Sequence, residues 1–350
     1  MKTHDFRSDT VTLPTPAMMA AIAHARLGDA ARGDDPTVNE LEALGRELTG
    51  KDDALFVPSG AMANLAALMA HEVRGGEVIV ESGAHIYNSE GGGLSVVAGG
   101  VARPVTGEQG VLDADAVRQA IRGAADLALA PTRLICLENS HNASGGRVMT
   151  LAQMAAIRVV ARQAGLPLHL DGARLFNAAA YLDVPITHLC EHADSVWFAL
   201  CKGLGCPVGA LLAGEREFMQ RARRAVRMLG GGMRQAGLIA APALVALRDP
   251  YPVHRRDHAL AAELARGLAA IDGSLVDAGT VQTNIVNCFV DRFAEDAGAI
   301  AAALRERGVL ANHKASKIRF VTHSQVDEAD VAAALAAMAA VLDRPARKKG

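Results

Sequence analysis

The sequence predicts an α/β protein: a large domain built on a mostly parallel sheet with helices on both faces, then a smaller C-terminal α+β domain. Three observations predict it. Short apolar runs alternate with Ala/Leu-rich stretches through the first two-thirds of the 350 residues, the pattern of strands joined by helical crossovers. Residues capable of chemistry stand just after several of these runs, where open α/β sheets bind their ligands. After Asp249-Pro250-Tyr251-Pro252 the alternation gives way to two long helical stretches around two strand-like runs.

In chain order, strands are expected at 54–57, 77–80, 133–137, 168–170, 195–200 and 208–213, each a run rich in Val, Ile, Leu or aromatic residues. Helices are expected at 61–71, 113–121, 151–164 and 215–226. Beyond the Pro-rich break come a helix at 257–270, strands near 284–290 and 318–321, and a helix at 328–342. The domain boundary therefore falls near Pro250. Residues 1–249 hold an N-terminal arm and the large domain, and residues 250–350 hold the small domain with a short basic tail from Arg344 to Lys349.

Composition narrows the classes of function. Half of the residues are hydrophobic and the net charge is −2 with both signs mixed, so the chain builds a large core and nothing in it calls for nucleic acid. The longest apolar candidate, Ala236 to Leu247, is too short for a membrane span and contains Pro242. Five cysteines without a CxxC pair suit a reducing compartment, and Met1 to Asp5 opens no signal peptide. A soluble cytoplasmic protein without membrane association is expected.

The run Ser195–Leu200 stops at Lys202, which is followed by Gly203-Leu204-Gly205 and a second apolar run. A lysine there either turns a hairpin toward solvent or, held in a cleft, loses solvation and becomes a carbonyl nucleophile, the basis of Schiff-base chemistry. Pro58-Ser59-Gly60-Ala61 joins a strand to a helix. Such a corner is either a plain tight turn or a cradle of free N–H groups for phosphate. Leu168-His-Leu-Asp171-Gly-Ala-Arg174 places an acid and an arginine after a buried strand; Asp171 either caps the next helix or pairs with a protonated ring nitrogen. Lysine, acid and phosphate turn together are what pyridoxal 5'-phosphate needs. No GxGxxG or Walker sequence is present.

Eight stretches then stand in one order: Arg7-Ser-Asp-Thr-Val-Thr12, Gly33-Asp-Asp-Pro-Thr37, Ala84-His-Ile-Tyr87, Glu138-Asn-Ser-His-Asn142, His169-Leu-Asp-Gly-Ala-Arg174, Lys202-Gly-Leu-Gly205, Gly230-Gly-Gly-Met-Arg-Gln235 and Arg319-Phe-Val-Thr-His323. In these the chain resembles, from Phe6 to about Gln325, the L-threonine aldolases of the β-eliminating lyase group, which have the aspartate-aminotransferase-like fold of fold-type I pyridoxal-phosphate enzymes. The resemblance implies retro-aldol cleavage of a β-hydroxy-α-amino acid to glycine and an aldehyde. It implies that Lys202 forms the Schiff base, that His85 stacks on the cofactor ring and acts near the β-hydroxyl, and that Asp171 pairs with the ring nitrogen and Arg174 with the phenolic oxygen. It further implies that Gly60 and Ala61 hold the phosphate, that Arg227 and Arg234 approach it across a subunit interface, and that Ser8 and Arg319 grip the substrate α-carboxylate. A homotetramer with shared active sites is implied as well.

The chain departs from the family pattern at four places. Ala61 replaces a threonine in the phosphate turn; Ala128 stands where many relatives carry a histidine near the substrate hydroxyl. Arg32 takes the place of a tyrosine, and Asn88-Ser89 that of aromatic residues. Either the gained cation selects a polar or anionic β-substituent, such as that of a hydroxyaspartate, with Arg32 as a substrate contact, or Arg32 points to solvent and the pocket is simply permissive. Racemisation and β-elimination are the rival reactions on the same cofactor, and a non-catalytic binding protein is a rival on the same fold. A metal-dependent aldolase would need more than His188 and His192, for which no further ligand cluster is apparent; no metal is expected.

Overall fold

A computed structural model describes residues 2–125, 127–293 and 296–343. The expected basic tail lies outside them. Their strands, in chain order, are β1 (His4–Asp5), β2 (Asp53–Val57), β3 (Glu77–Glu81), β4 (Val101–Val105), β5 (Thr132–Glu138), β6 (Leu168–Gly172), β7 (Ser195–Ala199), β8 (Ala210–Gly214), β9 (Ile285–Phe289), β10 (Val309–Leu310), β11 (Asn312–Lys314) and β12 (Lys317–Val321). The chain forms two compact units, Leu13–Pro250 on its own and Met1–Thr12 together with Tyr251–Gly350.

The larger unit is built on a seven-stranded sheet of order β2-β8-β7-β6-β5-β3-β4. β7, β6, β5, β3 and β4 pair in parallel, and β8 runs against both of its neighbours. β5 to β8 are buried almost throughout, which is why they read as continuous apolar runs rather than alternating ones. β4 was not expected. It is the edge strand, half-exposed and carrying Arg103 and Pro104, and an edge tolerates both. Helix Gly60–Ala70 packs its alanines against Trp197, Leu212 and helix Arg216–Met228. Helix Gly237–Ala246 buries one face, including Ala240, Ala241 and Ala243, and accommodates Pro242. No helix among the described residues is long and apolar enough to cross a membrane.

The smaller unit has an antiparallel sheet β11-β12-β9 and a parallel pair β1-β10, with helices Tyr251–Ile271, Ala297–Glu306 and Glu328–Leu342 around a core of Phe6, Leu264, Ile300, Ile318, Phe320 and Met338. The sequence reading kept the N-terminal arm with the large domain. Residues 1–12 group instead with the smaller unit, because β1 pairs with β10 and the Phe6 ring meets Phe320 edge-on at 6.0 Å.

Candidate active site

Four parallel strands deliver acids or a lysine at the same edge of the sheet. β3 ends on Glu81 and β5 on Glu138; Asp171 is the penultimate residue of β6, and β7 runs on through Leu200 to Lys202. Register places Glu138 beside Asp171 and Asp171 beside Trp197. This is the carboxyl end of the parallel strands, where side chains from separate crossovers converge. Asp171 is buried, and the Lys202 Nζ lies 5.9 Å from the centre of the Trp197 ring.

Trp197 also shapes the neighbouring turn. The Ser59 hydroxyl accepts a hydrogen bond from the Met62 N–H (3.2 Å) and starts helix Gly60–Ala70. The N–H groups of Gly60 and Ala61 head this helix, where no intrahelical acceptor exists and the helix dipole favours an anion. A Cβ on Gly60 would stand 2.3 Å from the Trp197 ring, so only glycine lets the turn close down on the indole.

His85 opens the short helix His85–Asn88, its N–H donating to Glu138 Oε2 at 2.7 Å. Its Nδ1 meets Glu90 Oε1 at 2.9 Å. That hydrogen bond is the main reason the His85 imidazole holds its proton to higher pH than usual; burial opposes it and the Asp171 charge adds to it. Burial, with the charge of Asp171, raises the Glu90 and Glu138 carboxyls above the ordinary range. Asn64 donates to Glu90 Oε1 (2.7 Å) and to Asp171 Oδ2 (2.9 Å), and the Ala173 N–H donates to Asp171 Oδ1 (3.0 Å). The Arg174 Nη1 donates to Asn142 Oδ1 at 3.0 Å, while the Asn142 N–H donates to Glu138 Oε1 at 2.7 Å. Glu138 therefore braces both the His85 turn and the asparagine that orients Arg174.

The fold thus gathers Lys202, Asp171, His85, Arg174 and the Gly60-Ala61 turn, and adds Asn64, Glu90, Glu138 and Trp197, which the sequence reading missed. Asn64 was visible as a lone amide in an otherwise apolar helix, and Glu90 as an acid five residues after His85; the Asn64 partners Asp171, Trp197 and His169 are remote in sequence. The other expected residues have the following surroundings. Arg227 is exposed and lines a cavity of about 370 Å³ with Glu42, Phe56, Arg223 and Met233. Arg234 (3.3 Å) and Arg32 (3.5 Å) both turn to Asp29. Ala128 is exposed on the connection ahead of β5. Ser8 and Arg319 belong to the smaller unit. There Ser8 caps the turn Asp9–Val11, and Arg319 stands half-buried on β12 opposite Asn312, whose amide donates to the Arg7 carbonyl at 2.8 Å. His188 lies on helix Ile186–Cys190 and His192 beyond its end, and no group of three His, Cys, Asp or Glu placed to hold a metal occurs among the described residues.

A lysine amine, a buried carboxylate, an imidazole and a helix N-terminus kept open by Gly60 fit pyridoxal phosphate, a planar aldehyde with a basic ring nitrogen and a phosphate tail. The profile of the β-eliminating lyase family matches residues 5–291. A low-specificity L-threonine aldolase of Arabidopsis thaliana is 43% identical over 95% of this chain and 94% of its own length, and one of Escherichia coli K12 is 39% identical over 97% and 99%. Among solved structures, a threonine aldolase of Leishmania major superposes with a TM-score of 0.80 over 97% of this chain and 99% of its own, at 20% identity. The chain belongs to the β-eliminating lyase family and, within it, to the threonine aldolases of the fold-type I pyridoxal-phosphate enzymes.

Proposed function

We propose that the protein is a pyridoxal-phosphate-dependent aldehyde-lyase that cleaves L-threonine, L-allo-threonine and related β-hydroxy-α-amino acids between Cα and Cβ, giving glycine and an aldehyde. The observation that carries this is the convergence of Lys202, Asp171, the His85–Glu90 pair and the Gly60 turn in one chain of this family.

Lys202 would hold the cofactor covalently through Nζ. Asp171 would face its ring nitrogen, Arg174 its phenolic oxygen and His85 its ring face, and the Gly60 and Ala61 N–H groups would receive the phosphate, with Arg227 and Arg234 as further phosphate contacts. When bound, the cofactor supplies the electron sink that lets the Cα–Cβ bond break. Arg319 and Ser8 take the substrate α-carboxylate, which selects the bond at Cα that stands across the ring plane. The His85 Nδ1 is occupied by Glu90, so in the neutral ring the other nitrogen, Nε2, is the atom available to take the β-hydroxyl proton, directly or through water. Asp171 places negative charge where positive charge must be held during cleavage.

Incubating the cofactor-loaded protein with a panel of β-hydroxy amino acids and measuring glycine and aldehyde tests the proposal. Glycine formation that disappears in Lys202→Ala is expected. Inverted amino acid, or ammonia with a keto acid, would assign racemisation or β-elimination instead. The same resemblance supports a homotetramer with shared sites, and five cysteines without a CxxC pair suit a cytoplasmic location. Sedimentation tests the assembly.

A further inference from the structure

We propose that Asn64 is a positioning residue whose amide bridges Asp171 and Glu90, so that the carboxylate facing the cofactor ring and the carboxylate that orients His85 are set by one side chain. The inference rests on the function proposed above, and its core test is read without cofactor.

Asn64 is fully buried and uses every one of its hydrogen-bonding positions. Its Nδ2 donates to Glu90 Oε1 at 2.7 Å and to Asp171 Oδ2 at 2.9 Å; its Oδ1 accepts from the Trp197 indole N–H at 2.6 Å and meets His169 Nε2 at 3.2 Å. Only one orientation of the amide works. Turned over, it would set an oxygen between two carboxylates and an N–H₂ against the indole N–H.

That orientation dictates the direction of a longer chain. His169 must donate from Nε2, so its Nδ1 accepts from the Ser195 hydroxyl at 2.7 Å, and Ser195 in turn accepts from His71 Nε2 at 2.7 Å. Burial keeps both imidazoles neutral, His169 with a pKa of about 3 and His71 about 4, as this assignment requires. Every donor in the sequence His71, Ser195, His169, Asn64 therefore points toward Asp171 and Glu90. Two buried acids side by side repel each other, and Asp171 also has Glu138 and Cys136 close by. A shared amide N–H₂ lets them stand together.

Titrating the His85 ring by NMR in cofactor-free protein carrying isotope-labelled histidine tests this. In Glu90→Gln the His85 pKa should fall by about one unit or more, because its charged partner is gone. In Asn64→Ala the His85 ring should also lose its proton at lower pH than in wild type, because an unsolvated Glu90 beside Asp171 takes up a proton and no longer holds the imidazolium. Pyridoxal phosphate should bind Asn64→Ala about tenfold more weakly, the scale of one lost charge-assisted hydrogen bond. Trp197→Phe, which removes the donor fixing the amide from behind, should shift His85 in the same direction by less, and it decides the matter if Asn64→Ala does not fold. A lowered Tm with an unchanged His85 titration and unchanged cofactor affinity would make Asn64 a packing residue and overturn the proposal. Wild-type protein that takes up no pyridoxal phosphate would overturn the proposed function instead.

Discussion

Trp197 stands where a side chain on Gly60 would have to go: a Cβ there would lie 2.3 Å from one indole carbon and 2.5 Å from the next. The indole is itself fixed, because its N–H donates to Asn64. Gly60→Ala should therefore move the helix N-terminus rather than the ring. We expect a loss of about 1–3 kcal/mol in unfolding free energy, the range for overfilling a packed site, with weaker binding of pyridoxal phosphate. Denaturant titration and equilibrium dialysis measure the two; unaltered affinity would mean that this turn does not receive the phosphate.

Lys202→Ala should remove the visible absorbance of the cofactor-loaded enzyme and lower kcat by on the order of 10³ or more, as losing one member of a covalent machinery does.

Arg319 and Ser8 are proposed to hold the substrate carboxylate and not the cofactor. Arg319→Ala should then raise KM for threonine by about a hundredfold, the loss expected when one partner of a charge-assisted pair is removed, and leave the absorbance spectrum of the loaded enzyme as it was. A changed spectrum with an unchanged KM would contradict that division of labour.

Arg32 and Arg234 share one carboxylate, Asp29. If Arg32 selects the β-substituent, Arg32→Ala should lower kcat/KM for 3-hydroxyaspartate about two- to fivefold relative to threonine, the effect of one exposed charge pair. Equal effects on the two substrates would place Arg32 outside the pocket.

In the smaller unit, burial raises the Asp257 carboxyl to about 8 from 3.8; Arg256, 4.0 Å away, opposes this and Asp9 adds to it. The folded protein keeps this proton up to about pH 8, whereas the unfolded chain releases it near 3.8. Stability therefore falls as pH rises between these values. Asp257→Asn removes the dependence. Its advantage over wild type should reach about 4 kcal/mol at pH 7, from about 1.4 kcal/mol per pH unit, and become small near pH 4. Thermal melts at the two pH values check it.

The sequence was most readable where physics is local. Strands buried on both faces announced themselves as unbroken apolar runs, and the Gly60 and Lys202 corners as breaks between them. β4 escaped because an edge strand needs no such run and carries Arg103 and Pro104. Residues 1–12 read with the large domain but cluster with the smaller unit, because the pairing of His4 with Val309 joins residues far apart in sequence. Asn64 is hard to read for a related reason: a buried polar residue is explained by its partners, and its partners Asp171, Trp197 and His169 lie on the strands β6 and β7.

β8 runs antiparallel to β7, so the chain returns after Lys202 through a short hairpin instead of a helical crossover. Three backbone hydrogen bonds tie that hairpin, Leu200 to Gly209, Cys206 to Leu200 and Gly205 to Lys202. The nucleophile is thus anchored on both sides within a few residues, unlike His85 or Arg174, each of which leads into its own helix. Lengthening the helical connections elsewhere in the sheet leaves the strand ends where they are. Adding or deleting even one residue between 200 and 209 would swing the amine off its mark, which makes this loop the segment of the enzyme least open to redesign.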